Sequence, residues 1–444
     1  MSPHEVREEA RTWGRWALGF GFGRTMIRLG ARRGALSARL AIDPELHRDP
    51  VPGFEGLRRQ GPLVVNGPMA AAVGHAACNE ILRSEDFGVG GGHGELPVPL
   101  RRLLARISEP AVMGPLDPPS MLAVDPPEHS RYRQQVARAF TARKVGRMVD
   151  RVEEVAVRLL DELEGETGFD LVERYAALLP VVVISELLGV PEEHRERVLA
   201  LGNLAATTLD PALTFRQYRA AEAAMRELHS MFAAHVEELR RNPGEDLLSQ
   251  IITSDAPDPL SDTELHQVGL LVLGAGFETT VNLIGNAVVH LDRDPDQLAG
   301  LLADPDGWPN AVDETLRFDP PVQMTMRVAQ RDTVVAGVAL RAGMPTLVII
   351  GGANRDPEVF ADPHRFDVTR PNAAEHLAFS AGVHYCIGSS LARLEAATAL
   401  RLLYERHPDL RVAGTPERRE TRVLRGYERI PVAVRDGARA PASR

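Results

Sequence analysis

Apolar residues recur with the spacing of α-helices along most of the chain. This pattern predicts helices at about 126–141, 146–164, 171–189, 191–203, 212–241, 261–292, 308–318 and 388–406. Shorter runs bounded by glycine and proline predict strands near 62–66, 333–340, 345–350 and 430–434. Because the helical segments cover far more of the chain than the strands, the expected fold class is mainly α with a small β region.

The N-terminal part of the chain differs from the rest, and we divide the sequence into a basic N-terminal extension, residues 1–42, and one domain, residues 43–444. Arginines recur every four residues in two runs, with aromatic and aliphatic residues between them: Arg7, Arg11 and Arg15, then Arg24, Arg28 and Arg32. Two interpretations stay open. The extension could lie on a membrane surface or a partner as an amphipathic helix, or it could pack on the body of the protein.

Composition and charge narrow the class of protein. The chain has 444 residues, of which 44% are hydrophobic and 25% charged, as in an ordinary globular protein. Its net charge of −10 argues against a protein built to coat nucleic acid. Two cysteines, Cys78 and Cys386, can build neither a disulfide scaffold nor a four-cysteine cluster. With no signal-peptide pattern and no apolar run near the roughly 18 residues of a membrane span, we expect a cytoplasmic protein without a transmembrane segment.

The segment from Phe379 to Gly388, FSAGVHYCIG, carries the strongest chemical pattern. Cys386 lies in a loop between Gly382 and Gly388, directly before an alanine- and leucine-rich helix. Backbone N–H groups and the positive end of the helix dipole stabilise a thiolate there, and the thiolate is the form of cysteine that binds metal. A buried cysteine usually serves as a small apolar side chain, but the spacing Phe-x-x-Gly-x-x-x-Cys-x-Gly favours a metal ligand.

A second pattern lies in the long predicted helix that starts near Ser261. Ser261 and Glu264 form a capping-box pattern at its N-terminus. Within the apolar run LLVLGAGFETT, residues 270–280, glycine and threonine are poor helix-interior residues, and a threonine hydroxyl can bond back to the i−4 carbonyl. Glu278 and Thr279 put a carboxyl and an alcohol at this point, a pair suited to relaying protons. A buried helix with a tolerated kink is the alternative.

Two shorter patterns place polar residues on single helix faces. Glu314 and Arg317 are three residues apart, where they can pair, and Arg365 is the candidate third member of a buried cluster. His129 and Arg133 are four residues apart and could together clamp a ligand carboxylate. A solvent-facing helix side is the alternative for the second pair.

In this order, the four patterns and the segment NRDPEVFADPHRFD at 354–367 resemble the cytochrome P-450 family, in its soluble bacterial branch. The resemblance covers roughly residues 43–435. It implies a triangular-prism fold in which heme b lies between the long distal helix and the proximal Cys386 loop. Cys386 would be the axial ligand of the heme iron, donating electron density that favours O–O cleavage.

The resemblance also assigns roles to further residues. The heme propionates would be bound by four basic side chains: His129, Arg133, Arg327 and His384. Glu278 and Thr279 would be the acid–alcohol pair that delivers protons to dioxygen, and Glu314, Arg317 and Arg365 would support the cysteine side of the fold. Two positions depart from the family pattern, because Ser380 stands where glycine is usual and Phe277 where this branch often has histidine.

The implied reaction uses dioxygen, two electrons and two protons to insert one oxygen atom into a small, mainly apolar organic substrate. Electrons would come from separate partners, a ferredoxin and its reductase, docking on a basic proximal patch: Arg131, Arg138, Arg143, Lys144 and Arg393. The substrate cavity would draw on five segments: 84–120, 195–220, 270–279, 322–326 and 424–427. Its apolar lining would include Leu271, Phe277, Val322, Met324 and Met326, with Gln323 and Arg425 as candidate polar anchors.

Three alternatives stay open. A peroxygenase would use hydrogen peroxide and need no redox partner, although the acid–alcohol pair favours the dioxygen route. A heme-thiolate enzyme could also isomerise or couple its substrate without inserting oxygen. A heme-binding sensor or carrier would bind substrate and consume no reductant.

Overall fold

A computed structural model of the protein describes residues 3–89, 109–255 and 257–434. Its α-helices are α1 (Pro3–Trp16), α2 (Phe22–Arg32), α3 (Leu36–Ile42), α4 (Pro44–Arg48), α5 (Val51–Arg58), α6 (His75–Arg83), α7 (Glu128–Ala137), α8 (Ala142–Gly146), α9 (Val149–Asp161), α10 (Leu178–Leu187), α11 (Arg195–Ala206), α12 (Phe215–Arg241), α13 (Leu247–Ile252), α14 (Asp262–Arg293), α15 (Pro295–Ala303), α16 (Trp308–Phe318), α17 (Ile350–Ala353) and α18 (Ser389–Arg406). Its strands are β1 (Leu63–Asn66), β2 (Met69–Ala72), β3 (Phe87–Gly88), β4 (Gly168–Asp170), β5 (Thr325–Ala329), β6 (Thr333–Val335), β7 (Val338–Leu340), β8 (Pro345–Val348), β9 (Arg411–Val412), β10 (Glu417–Arg418), β11 (Tyr427–Arg429) and β12 (Pro431–Ala433). The predicted fold class, mainly α with a small β region, is confirmed.

Helix α14 forms the centre of the main core. It starts at the predicted capping box, in which Ser261 N donates to Glu264 Oε2 at 2.8 Å and Glu264 N donates to Ser261 Oγ. Helices α10, α16 and α18 pack around it. By length and composition, α14 is the one helix of the described residues that could cross a membrane, and 67% of its apolar stretch is buried inside the protein. The expectation that no stretch approaches a membrane span therefore missed α14.

A five-stranded sheet lies beside this helical core, in the order β1-β2-β8-β5-β3. Strand β8 runs parallel to β2 and antiparallel to β5. Strand β5 carries Arg327, and β3 at the sheet edge pairs with it through Phe87 and Ala329. The sheet thereby presents a basic side chain toward the region between α7 and the Cys386 loop.

The remaining strands form short sheets near the C-terminus and a hairpin, β6–β7. The single run predicted at 333–340 is this hairpin, which turns at Ala336 and Gly337 with φ of 49° and 78°. Strands β10 and β11 pair antiparallel and deliver Arg419, in the connection between them, to the neighbourhood of α14. Elements of two to five residues such as these give too little periodicity to be predicted from the sequence.

The N-terminal helices lie against the outer side of α12. Trp16 Nε1 donates to the carbonyl of Leu213 at 3.0 Å, and the ring centroids of Phe20 and Tyr218 are 5.3 Å apart. Packing on the body, one of the two interpretations of residues 1–42, is therefore how α1 and α2 are arranged. The division of the chain at residues 42 and 43 stays a prediction.

Candidate active site

The backbone of the Cys386 loop is held in place by one required glycine and one hydrogen bond. Gly382 has a φ of +68°, and a Cβ there would lie 2.4 Å from the carbonyl oxygen of Leu82, so no other residue fits. The N–H of Cys386 donates to the carbonyl of Phe379 at 2.9 Å. Gly388 has a φ of −86°, which any residue can adopt. Of the two bounding glycines, only Gly382 is dictated by geometry.

Ser380 adopts a conformation for which glycine is favoured, with a φ of +63°. Its hydroxyl oxygen is buried without a hydrogen-bond partner among the described residues. The serine therefore holds the glycine-like backbone geometry at a local cost in strain.

Cys386 is exposed to solvent, although protein atoms surround it closely. Burial raises the pKa of the Cys386 thiol, and the backbone N–H of Gly388 offsets this only in part. The Gly388 N–H and the charges of Arg133 and Arg393 act in the direction that the sequence predicts, toward the thiolate. The other cysteine, Cys78, is fully buried with a pKa of about 12.

The structure brings together the four basic residues predicted to bind propionates. The rings of His129 and His384 are 4.2 Å apart between centroids, although 255 residues separate them in the chain. Arg133 donates to the carbonyl of Tyr385, one residue before Cys386, at 2.7 Å. Arg327 on β5 is buried and donates within its own strand, to Met326 O at 2.9 Å.

Burial disfavours the charged forms throughout this basic cluster. It lowers the pKa of Arg327 to about 10, and together with His129 and Arg327 it lowers the pKa of His384 to about 4. Asp125 is the acidic group that faces them, and its carboxylate is 3.5 Å from His384 Nε2. Asp125 also accepts the N–H of Val89 at 2.9 Å. One carboxylate does not balance the two arginines, and the two histidine rings can donate further hydrogen bonds, so the cluster is chemically suited to bind an anionic ligand.

On α14, an accessible face lies within an otherwise buried helix. Ala275 is exposed in the middle of the helix, and Leu271 and Thr279 on the same side are partly accessible. Thr279 Oγ1 donates to the carbonyl of Ala275 at 3.2 Å, so the predicted i−4 bond is formed while the helix continues unbroken.

Glu278 leaves α14 in a different direction from Thr279, as adjacent helical residues must. Its Oε1 is 3.1 Å from Arg419 Nη1 in a nearly buried ion pair. Its Oε2 is buried without a hydrogen-bond partner among the described residues. Burial raises the pKa of Glu278, and Arg419 offsets part of that shift. Glu278 and Thr279, which were predicted to act as a pair, are therefore adjacent in the chain, but no hydrogen bond joins their side chains.

The predicted cluster around Glu314 exists, with one member corrected. Arg317 donates to both carboxylate oxygens of Glu314, at 2.6 and 2.8 Å. The third member is Arg370, whose Nε lies 3.1 Å from Glu314 Oε2. Arg365 was the wrong choice, because its side chain is exposed and it contributes only its carbonyl, which accepts from Arg317 and Arg370.

The predicted lining of the substrate cavity needs three corrections. Phe277 is fully buried against α11, where a Cβ at Gly202 would lie 2.4 Å from its ring. Gln323 is buried and donates to Pro320 O, and Arg425 is buried in a pair with Asp319. These side chains are committed to the fold and do not face a cavity. One predicted segment of the cavity, 84–120, is described only in part, because residues 90–108 lie outside the described residues.

The basic patch predicted on the proximal side is partly neutralised. Arg131 pairs with Glu264 and Arg393 with Asp313, so neither offers an uncompensated charge. Lys144 donates to an uncharged partner, Gln250 Oε1, at 3.1 Å. Two exposed arginines of the predicted set form no ion pair with another described residue: Arg138 and Arg143.

Three charged residues of this region were not singled out from the sequence. Arg419 and Arg370 contact the two buried glutamates from distant parts of the chain, and no local pattern marks them. Glu395 on α18 is fully buried beside Thr280, and neither of its carboxyl oxygens has a hydrogen-bond partner among the described residues. A lone glutamate on an apolar helix face, nine residues after Cys386, was the available signal for it.

Comparison with known proteins places this site in a family. The model of the cytochrome P450 family matches residues 309–407. The chain is 47% identical over 424 residues to cytochrome P450 140 of Mycobacterium tuberculosis, a match that covers 94% of this chain and 97% of the relative. It is 36% identical to the cytochrome P450 monooxygenase PikC of Streptomyces venezuelae, covering 90% of this chain and 94% of the relative.

A solved structure gives the same result for the fold. The ligand-free crystal structure of Mycobacterium smegmatis CYP164A2 is 34% identical and matches with a TM-score of 0.80, covering 90% of this chain and 99% of that one. Identity at these levels extends across nearly the whole chain. The chain belongs to the cytochrome P450 family of heme-thiolate monooxygenases.

Proposed function

We propose that this protein binds heme b through Cys386 and inserts one oxygen atom from dioxygen into a small, mainly apolar organic substrate. The observation that carries the proposal is the basic cluster of His129, Arg133, Arg327 and His384 beside the Cys386 loop. Its excess of positive charge over Asp125 fits the two propionate groups of heme. The exposure of Cys386 to solvent supports the same fit.

When bound, heme supplies the iron at which dioxygen is reduced and substrate oxidised. The chain contributes binding and orientation. An incoming carboxylate would favour the charged forms of Arg327 and of the two histidines, whose pKa values burial lowers. Arg133 connects the two halves of the site, because it bonds to Tyr385 O and its charge favours the neighbouring thiolate.

Glu278 and Thr279 are proposed to move protons on the distal side. Burial keeps the pKa of Glu278 above that of an exposed glutamate, which favours the protonated form that a proton donor needs. Arg419 holds Glu278 away from the accessible face of α14. Transfer to the Thr279 hydroxyl therefore needs rotation of Glu278 or a bridging water, and Arg419 would act as the positioning residue for that step.

Electrons are proposed to come from a ferredoxin and its reductase. An open groove of about 1010 Å³ beside the cysteine loop is lined by Arg131, Arg133, Gln134 and Gly382. Arg138 and Arg143 are exposed on the same part of the chain and would contact an acidic partner. We further propose that the protein works in the cytoplasm.

The direct test replaces the proposed ligand. In Cys386→His, the red-shifted absorption band of the reduced carbon-monoxide complex should be lost, whereas the control Cys78→Ala should keep it. Persistence of the band in Cys386→His would overturn the ligand assignment. For the reaction, labelled dioxygen should appear in the product when ferredoxin, its reductase and a nicotinamide reductant are supplied. Faster turnover with hydrogen peroxide alone would favour a peroxygenase, and no reductant use with any partner would favour a carrier.

A further inference from the structure

The outward face of the N-terminal helices is apolar, although the opposite face is already bound to the body. Four side chains at helical spacing, which we call the N-terminal stripe, are 37–73% exposed: Leu18, Phe22, Met26 and Leu29. They run continuously through the helical turn Ala17–Gly21 into α2. Trp13, at 56% exposure, extends the apolar surface toward α1. These five are a third of the exposed large apolar side chains in the part of the chain that is described.

The body fixes the direction in which the stripe points. Glu222 on α12 is 3% exposed and accepts from Arg15 Nη2 at 2.6 Å and from Thr12 Oγ1 at 2.8 Å. Trp16 packs edge-on against Phe215 with ring centroids 5.7 Å apart. A buried ion pair and aromatic contacts hold the inner face, so the stripe cannot turn inward to cover itself without breaking them.

The charges around the stripe are positive and unbalanced. Residues 1–42 contain eight arginines and three glutamates, in a chain whose net charge is −10. Glu8 pairs with Arg226 of the body at 2.7 Å and Glu9 approaches Arg219. By contrast, three exposed arginines beside the stripe form no ion pair with another described residue: Arg28, Arg32 and Arg33.

We propose that this face docks on an anionic phospholipid membrane, with the N-terminal stripe in the interface and the arginines on lipid phosphates. A helix face of phenylalanine, methionine and leucine flanked by arginine is the chemistry that such a surface recognises. A second copy of the chain fits poorly, because a symmetric contact would bring the same arginines together. The contact would also hold the N-terminal end of α12 beside the membrane. The proposal does not depend on the reaction that the enzyme catalyses.

Flotation of the full-length protein with vesicles tests the proposal. Phosphatidylcholine vesicles with about one quarter phosphatidylglycerol should retain the protein at about 0.1 M salt, and about 1 M salt should release most of it. Pure phosphatidylcholine vesicles should retain about tenfold less. Equal retention by both lipids, or retention by neither, would overturn the proposal.

Variants separate the apolar and the charged contributions. Phe22→Ser with Met26→Ser should lower the bound fraction about tenfold, and Arg28→Gln, Arg32→Gln and Arg33→Gln together should remove its dependence on salt and on the anionic lipid. The matched control changes an exposed apolar residue and an exposed arginine elsewhere, Val334→Ser with Arg341→Gln, and should bind like the wild type.

Two outcomes of the variant series contradict the proposal. The first is wild-type binding by both the stripe and the arginine variants, with unchanged thermal unfolding midpoints as evidence that they fold. The second is a wild type that elutes as a dimer in size exclusion while the stripe variant elutes as a monomer, which would assign the face to a second copy. Both variant sets change exposed side chains, so both are expected to fold. If one of them does not fold, the membrane binding of the other still tests the proposal.

Discussion

Two buried glutamates on neighbouring helices have opposite environments. Glu314 on α16 is completely buried, and its carboxylate accepts from Arg317, Arg370 and the N–H of Asp367. Glu278 on α14 is almost as buried, but it has one ion-pair partner, Arg419, and an oxygen with no hydrogen bond among the described residues.

The difference separates a structural carboxylate from a reactive one. A buried ion whose hydrogen bonds are all formed has no reason to change its protonation or its rotamer, so it fixes the geometry around it. An incompletely bonded carboxylate keeps a raised pKa and a free lone pair, and both are needed to pass a proton. Burial alone therefore does not distinguish a structural carboxylate from a reactive one. The number of hydrogen bonds that the carboxylate accepts does distinguish them.

The largest expected effect is on stability, in Glu314→Ala. Removing this carboxylate leaves Arg317 buried and unpaired, which should cost about 3–5 kcal/mol of unfolding free energy. Urea denaturation followed by circular dichroism measures it. Arg370→Ala should approach the same loss, while Arg365→Ala should stay within about 0.5 kcal/mol because its side chain is exposed. Equal losses for the two arginines would contradict the corrected cluster.

Glu278→Gln should affect the rate more than the fold. We expect product formation to fall about 100-fold, equivalent to about 2.7 kcal/mol of activation free energy, because the amide cannot supply a proton. The unfolding free energy should change by about 1 kcal/mol or less, since the amide oxygen can still accept from Arg419. Turnover rates and urea midpoints give the two quantities. Glu278→Asp, which keeps the carboxyl, should recover part of the rate, and wild-type turnover in Glu278→Gln would remove the proton role.

Thr279→Ala should uncouple reductant use from product formation. Without the hydroxyl, we expect reductant consumption to continue while product per electron pair falls about tenfold and hydrogen peroxide is released. Measuring reductant, product and peroxide in the same reaction tests this. Thr279→Ser keeps the hydroxyl and should remain coupled. If the alanine variant is coupled as tightly as the wild type, the hydroxyl has no part in proton delivery.

Glu395 is a third buried carboxyl, and it has no ion-pair partner among the described residues. Of the substitutions considered, Glu395→Gln should have the smallest effect, a change in how stability depends on pH. Burial raises its pKa well above the ordinary value, so the folded protein binds a proton that the unfolded chain releases. The stability from this proton is complete below the unfolded pKa of about 4.3. It is lost as the pH rises toward the folded value.

Glu395→Gln should therefore remove a decline in stability as the pH rises above about 5. Urea unfolding across that range measures the slope, and Glu405→Gln, an exposed position on the same helix, is the control. An unchanged slope in Glu395→Gln would mean that the carboxyl is ionised in the folded protein.

Much of the fold could be predicted because it depends on local spacing. The long helices, the capping box at Ser261 and the Glu314–Arg317 pair all follow from contacts within four residues. The family resemblance was confirmed for the same reason, since its motifs are short and continuous. Strand β5 and helix α6 were missed, because short elements are defined by their neighbours more than by their own periodicity.

The sequence by itself determined the chemistry of the site: a cysteine in a glycine-bounded loop, an acid beside an alcohol on a long helix, and basic residues on α7. Only the tertiary structure decided which distant residues each of these side chains contacts. It selected Arg370 over Arg365, placed His129 against His384, directed Phe277 into the core and paired Glu278 with Arg419. Residue type and local spacing are written in the chain. Contacts between distant segments depend on how whole helices pack, and a local pattern does not encode that.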